Sequence, residues 1–264
     1  MDAPAKHKNH DIYFVPGLFR GLRVLEILAA EEKPLTVSEI ARALDVSRSS
    51  AFRLIYTLKY MGFAESTDDG RNFKLGARVL NLGFSYLASQ DIITTARADL
   101  EDLRDETGIS AHLAILEKQE VLFLDCVQSR SGFLSNVNVG TRIPAHASPL
   151  GWLMLSDLPS RELAARYEGA TFKRLTEKTP TNTEQLLHAV SQAAAHGVVV
   201  SQGIAEQGGC SISAPVLDRN GKIIAAIDIS GPASAFEAER MESDYVSKVR
   251  AAAMSISRRL GYVA

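Results

Sequence analysis

The chain has 264 residues, 46% of them hydrophobic and 23% charged, with a formal net charge of −2. That balance gives a globular protein with a substantial core, and no apolar run approaches the roughly 18 residues that a membrane-spanning helix needs. The opening MDAPAKHKNH is polar, lacks the apolar centre of a secretory signal and reads as a disordered tail over residues 1–10. Only Cys126 and Cys210 are present, without a Cys-x-x-Cys pair, so neither a dithiol redox motif nor a cysteine zinc site is indicated, and a reducing, cytoplasmic setting fits.

Charge is uneven. Residues 1–90 carry a net +2 and the remainder −4, and between residues 42 and 59 Arg42, Arg48, Arg53 and Lys59 are opposed only by Asp45. A basic surface therefore has one short stretch in which to form.

In chain order, Phe14–Ala30 has helical spacing, with Leu18, Leu22, Leu25 and Ala29 as one apolar stripe. Thr36-Val37-Ser38-Glu39 is a capping box that opens a short helix to about Leu44 with Val37, Ile40, Ala41 and Leu44 inward. Asp45-Val46 forms a turn, and Ser47 caps a second helix that runs to about Met61 and stops at Gly62. Phe63–Ser66, the Thr67-Asp68-Asp69-Gly70-Arg71 turn and Asn72–Leu75 then read as a hairpin. Helix, helix, turn, helix, hairpin is the order of a winged helix-turn-helix, placed at residues 11–76.

On the Ser47–Met61 helix, Ala51, Leu54, Ile55, Leu58 and Met61 share one side, while Ser49, Arg53, Tyr56 and Tyr60 share the other. A recognition helix needs this division, one side docking on the preceding helix and the other reading base edges in a DNA groove. Arg53 is the expected base contact. Arg48, Ser49 and Ser50 sit at the amide-rich N-terminal end, where bases or phosphates are within reach, Tyr56 lies on the exposed face, and Arg71 and Lys74 in the wing reach the backbone or minor groove. Taken singly, Arg48, Arg53 or Lys59 is equally a solvated charge; the complete element order carries the reading.

Residues 77–92 read as a linker helix, apolar on two sides (Leu75, Val79, Leu82 and Tyr86; Leu80, Phe84 and Leu87), a pattern that calls for two packing partners and suggests a dimer contact. From residue 93 to 264 a charged helix (95–106), strands near 111–117, 121–128 and 133–139, helices near 149–156, 160–167 and 183–196, strands at 197–201, 210–217 and 221–230 and a last helix over 237–260 indicate an α+β domain with mixed strand pairing. Alternation puts Ser211 and Ser213 on one face of their strand, and Ala226, Asp228 and Ser230 on one face of the next. Two neighbouring strands with polar faces mean either a polar cavity or a sheet face open to water.

The chain resembles the IclR family of transcriptional regulators over about residues 15–260. The resemblance rests on Arg20–Glu26, Ser47-Arg48-Ser49-Ser50-Ala51-Phe52-Arg53-Leu54, Phe73-Lys74-Leu75-Gly76, Leu82-Gly83, Val139–Ser148, Ser213-Ala214-Pro215-Val216 and Ala225–Pro232. It implies a cytoplasmic regulator of catabolic genes, a homodimer or tetramer, with a GAF/PAS-like α/β effector-binding domain after the winged helix-turn-helix. It further implies that Pro149, Leu150, Ser201, Ser211, Asp228 and Ser230 meet a small metabolite, often an organic or aromatic acid. Two positions depart from the family pattern: Pro149 removes an amide that could hold a carboxylate, and Asp228 stands where a small residue is usual. A carboxylate there repels an acidic ligand and favours one bearing hydroxyl or amine groups.

Two other classes stay open: a DNA-binding module whose C-terminal domain only oligomerises, and an enzyme using Cys210 with His146 or His112 as base. No linked nucleophile, base and orienting group can be named, and no Gly-Lys-Ser/Thr phosphate loop or His-Glu-x-x-His metal motif occurs. His112, Asp125, His146 and Asp228 have no diagnostic metal-ligand spacing. No catalytic residue, metal or cofactor is therefore expected.

Overall fold

A computed structural model describes residues 10–67, 70–130 and 137–263. Two compact units divide at Ser89/Gln90.

In the first unit, α1 (His10–Tyr13) and α2 (Pro16–Ala30) precede β1 (Leu35–Thr36), α3 (Val37–Ala43), α4 (Arg48–Tyr60), β2 (Ala64–Ser66), β3 (Asn72–Leu75) and α5 (Arg78–Ala88). The capping box is formed: Glu39 N donates to Thr36 Oγ1 at 3.3 Å and Thr36 N to a Glu39 carboxylate oxygen at 2.8 Å, satisfying amides that the helix start leaves open. The turn between α3 and α4 passes through Asp45 at φ 52°, a left-handed position that Asp tolerates better than most residues. Ser47 caps α4 by accepting from Ser50 N at 3.2 Å. The wing is a three-stranded antiparallel sheet in the order β1-β3-β2; β1 escapes sequence reading because two residues carry no periodicity. Asp68 and Asp69 of the expected turn, and residues 1–9 of the expected tail, lie outside the described residues, and His10 is already in α1.

Val24, Leu28, Ile40, Ile55, Leu58, Ala64 and Phe73 make the core of this unit. The α2 stripe read from spacing is not the one that faces it: Leu18 and Leu22 are exposed and Leu25 is half-buried, while Val24 and Leu28 are sealed. Both registers satisfy helical periodicity, so spacing alone does not choose between them. Along α5, Leu80, Leu82, Phe84 and Tyr86 are likewise exposed.

The second unit contains α6 (Asp91–Thr107), β4 (Ser110–Glu117), β5 (Glu120–Val127), β6 (Arg142–Pro144), α7 (Pro149–Leu155), α8 (Ser160–Arg166), α9 (Thr183–His196), β7 (Val199–Gln202), β8 (Gly209–Leu217), β9 (Ile223–Pro232) and α10 (Ser247–Arg259). Its sheet has the order β6-β5-β4-β9-β8-β7. Every pairing is antiparallel, which corrects the mixed pairing expected from the element order. The reason is that β4–β5 and β8–β9 are hairpins whose two inner strands, β4 and β9, pair antiparallel to each other. Asp218 organises the β8–β9 turn, accepting from Asn220 N at 2.8 Å and Lys222 N at 3.0 Å. The strand expected at 133–139 falls largely on residues 131–136, outside the described residues, and 137–139 are not in a strand. The expected 237–260 helix starts as 3-10 and π turns over 238–246 before α10.

α7 is buried along its whole length. Gly151 lets it approach the preceding turn: a Cβ there would stand 2.3 Å from the Ala145 carbonyl oxygen. That close approach anchors α7 against one face of the sheet, where a cavity forms.

Candidate DNA-reading surface and effector cavity

On the first unit, Arg48, Ser49, Phe52 and Arg53 of α4, Thr36, Val37 and Ser38 at the start of α3, and Arg71 of the wing border one concave surface. Three of the expected DNA-contacting cations, Arg48, Arg53 and Arg71, thus converge with Ser49. The buried side of α4, Ala51, Ile55 and Leu58, orients the opposite face outward. Tyr56 and Lys74 are exposed but lie outside that concavity, and Ser50 is half-buried with its amide engaged by Ser47. Sequence reading missed Phe52, which is exposed and has its ring 6.4 Å from that of Tyr56; its place one step round the helix from Arg53 was the available signal. Lys59 faces another way, donating to Ser66 Oγ at 2.8 Å. The wing is fixed from behind by Arg78, which donates to the Met61 carbonyl at 2.7 Å and covers the Phe63 ring.

On the second unit, a cavity of about 510 Å³ is walled by all six residues expected to meet an effector: Pro149, Leu150, Ser201, Ser211, Asp228 and Ser230. The register explains why. Ser201, Ser211, Ser230 and Ser110 are successive cross-strand partners on β7, β8, β9 and β4, and one step along the same face Ser213, Asp228, His112 and Cys126 form a second polar row. Side chains in directly opposed register share a face, so the sheet turns a polar side toward α7. Phe123, Ile143 and Val137 complete an apolar wall. The volume suits a small metabolite.

Asp228 is fixed. Its Oδ1 lies 2.8 Å from His112 Nδ1, and Ser230 Oγ lies 3.3 Å from the same nitrogen. His112 is fully buried and its ring meets Phe123 edge-on at 5.7 Å. Ser201 and Ser211 hydroxyls are 3.0 Å apart. The outer wall, residues 203–209, is a glycine-rich loop with Gly203 and Gly208 at positive φ. A neighbouring turn ties it down: Thr176 Oγ1 donates to the Gly203 carbonyl at 2.7 Å, Thr179 Oγ1 to that of Ile204 at 2.8 Å and Lys178 Nζ to that of Gln202 at 3.1 Å. His112, Thr176 and Thr179 were not legible as parts of this site, because their roles depend on partners more than 20 residues away.

The groups considered for other chemistry are separately occupied. Burial raises the Cys210 thiol to about 11, leaving little thiolate for nucleophilic attack, and burial together with the nearby Asp125 and Asp228 raises Cys126 to about 12. His146 donates from Nε2 to the Lys173 carbonyl at 3.1 Å and packs on Phe172. Asp125 pairs with Arg97 at 2.7 Å. Among the described residues no group of three or more His, Cys, Asp or Glu side chains is arranged to hold a metal ion.

Residues 17–68 match the IclR helix-turn-helix domain, and residues 84–258 match the bacterial transcriptional regulator IclR C-terminal domain. The chain belongs to the IclR family of bacterial transcriptional regulators. It is 29% identical to the HTH-type transcriptional regulator KdgR of Escherichia coli, over 91% of this chain and 92% of that one. It is 28% identical to the Pca regulon regulatory protein of Pseudomonas putida, over 94% and 84% respectively. Among solved structures, an IclR homolog from Microbacterium hydrocarbonoxydans complexed with 4-hydroxybenzoate superposes with a TM-score of 0.78 at 27% identity, covering 92% of this chain and 98% of that one. The IclR regulator described here is therefore a DNA-binding transcription regulator with a C-terminal effector-binding domain. No helix among the described residues is long and apolar enough to cross a membrane.

Proposed function

We propose that this regulator acts in the cytoplasm as a homodimer or tetramer on a palindromic operator near catabolic genes, and that a small metabolite in the β7–β8–β9/α7 cavity controls it. Arg53 reads a base edge, Arg48, Ser49 and Ser50 meet bases or phosphates, Tyr56 packs against the DNA sugars, and Arg71 and Lys74 hold the backbone or minor groove. The observation that carries the DNA reading is the convergence of Arg48, Arg53 and Arg71 on one concave surface with the apolar side of α4 turned inward. The exposed apolar residues of α2 and α5, Leu18, Leu22, Leu80, Leu82 and Phe84 among them, support self-association, because contiguous exposed apolar surface usually marks an interface. Coupling between effector and DNA then runs through the 77–90 segment, which changes the spacing of two DNA-binding units.

For the cavity, the supporting observation is that the six residues implied by the family resemblance wall one cavity. An enzymatic reading with Cys210 has no comparable support, since that thiol is held protonated by burial. Nuclease footprinting on the DNA flanking the gene tests the proposal. Two protected half-sites about 34 Å, or one helical turn, apart are expected; uniform protection, or none at moderate salt, contradicts it.

A further inference from the structure

We infer that the cavity takes a ligand presenting hydroxyl or amine donors and no carboxylate, with Asp228 as the residue that sets this preference; the inference rests on the effector-cavity reading above. Among the described residues, the charged side chains on its wall are Asp228 and Glu206, both acidic, and no lysine, arginine or histidine lines it. A ligand carboxylate entering here meets like charge on the wall, in a partly enclosed space where water screens poorly.

Part of the nearby backbone is unavailable to such a group. α7 begins with Pro149, which has no N–H, and the amide of Trp152 already donates to the Ser148 carbonyl at 3.0 Å. In the glycine-rich loop, Gly203 N donates to the Gly209 carbonyl at 2.8 Å and Gly209 N to that of Glu206 at 3.1 Å. Asp228 itself is held in place: only 4% of the residue is exposed and one oxygen faces His112 Nδ1. Its fixed carboxyl group, flanked by the Ser211 and Ser230 hydroxyls, is an acceptor array for O–H or N–H donors. Phe123, Ile143 and Leu150 supply the apolar wall for a carbon skeleton.

The test is saturation-transfer NMR titration of the full chain with probes of matched skeleton: benzyl alcohol, benzylamine and benzoate; 4-hydroxybenzyl alcohol and 4-hydroxybenzoate; xylitol and xylonate. In the wild-type protein at least one alcohol or amine binds ten times or more as tightly as its carboxylate counterpart. Asp228→Asn, which keeps an acceptor for His112 and loses the charge, narrows that ratio at least fivefold, and Asp228→Ser serves as the second variant should one fold poorly. The alcohol and amine arms tell a neutral ligand from a cationic one. Carboxylates binding as tightly as their counterparts, or a ratio indifferent to both substitutions, overturns the inference while leaving the cavity as a ligand site. Binding by no probe, or binding unchanged by Ser211→Phe, which puts a ring into the cavity beside Asp228 and Ser230, overturns the effector-cavity reading and the inference with it.

Discussion

His112 and Asp228, 116 residues apart in sequence, face each other across β4 and β9 with Nδ1 and Oδ1 2.8 Å apart, and both are buried. The second imidazole nitrogen, Nε2, has no hydrogen-bond partner among the described residues, and Nδ1 is the ring's engaged position. In that arrangement the imidazole donates from Nδ1 and the carboxyl group is oriented along the cavity wall. Removing either partner leaves the other polar and buried, which costs more than the pair contributes net.

The pair is therefore expected to be strongly coupled. His112→Leu and Asp228→Leu each destabilise by about 1–3 kcal/mol, and the double substitution costs less than the sum, with an interaction energy on the order of 1–2 kcal/mol. Urea unfolding of the four proteins measures it. Additive single effects would show that the two side chains do not support each other.

Gly76 closes the wing where backbone meets backbone. A Cβ there would stand 2.3 Å from the Gly62 carbonyl oxygen and 3.1 Å from Ala64 N, while Gly76 N donates to the Phe63 carbonyl at 2.9 Å. Neither neighbour is a flexible side-chain tip, so Gly76→Ala must displace β2 or β3 at about 1–3 kcal/mol, the cost typical of overpacking. Hydrogen exchange should quicken in residues 62–75 and stay unchanged in β4, β8 and β9. Unaltered protection in the wing would refute the close approach.

His146 gives the fold a pH dependence with a definite sign. Burial lowers its pKa, and the hydrogen bond to the Lys173 carbonyl opposes this only in part. The native state then holds the ring neutral where the unfolded chain, with a pKa near 6.5, takes up a proton. Stability is fully present above the unfolded value and falls as pH drops from about 6.5 through the lower native pKa. The Tm of the wild-type protein should decline more between pH 7.5 and 5.5 than that of His146→Gln. Equal declines would place the titration elsewhere.

Much of this was legible locally. The Thr36–Glu39 capping box, the Ser47 cap and α9, whose start and end at 183 and 196 match the expectation, depend on residues within one helical turn of one another. The polar faces of β8 and β9 followed from alternation, since a period of two leaves only the choice of side. What escaped depends on distance in sequence. The Thr176–Thr179 turn meets the 203–204 carbonyls and His112 meets Asp228 only once the sheet order is known. The α2 stripe was misread for a different reason: Leu18 and Leu22 are as apolar as Val24 and Leu28, and only tertiary packing selects the inward pair. Antiparallel pairing throughout was hidden because helices between strands mimic the order of crossover units.

The central claim is that the outward face of α4 reads DNA, and selection of bound sequences from a random duplex library by wild type and Arg53→Ala tests it most directly. The account predicts a symmetric consensus for the wild-type protein, relaxed at one base pair per half-site by about 1–3 kcal/mol in the variant. An unchanged consensus in Arg53→Ala, or no enrichment by the wild-type protein at moderate salt, would contradict it.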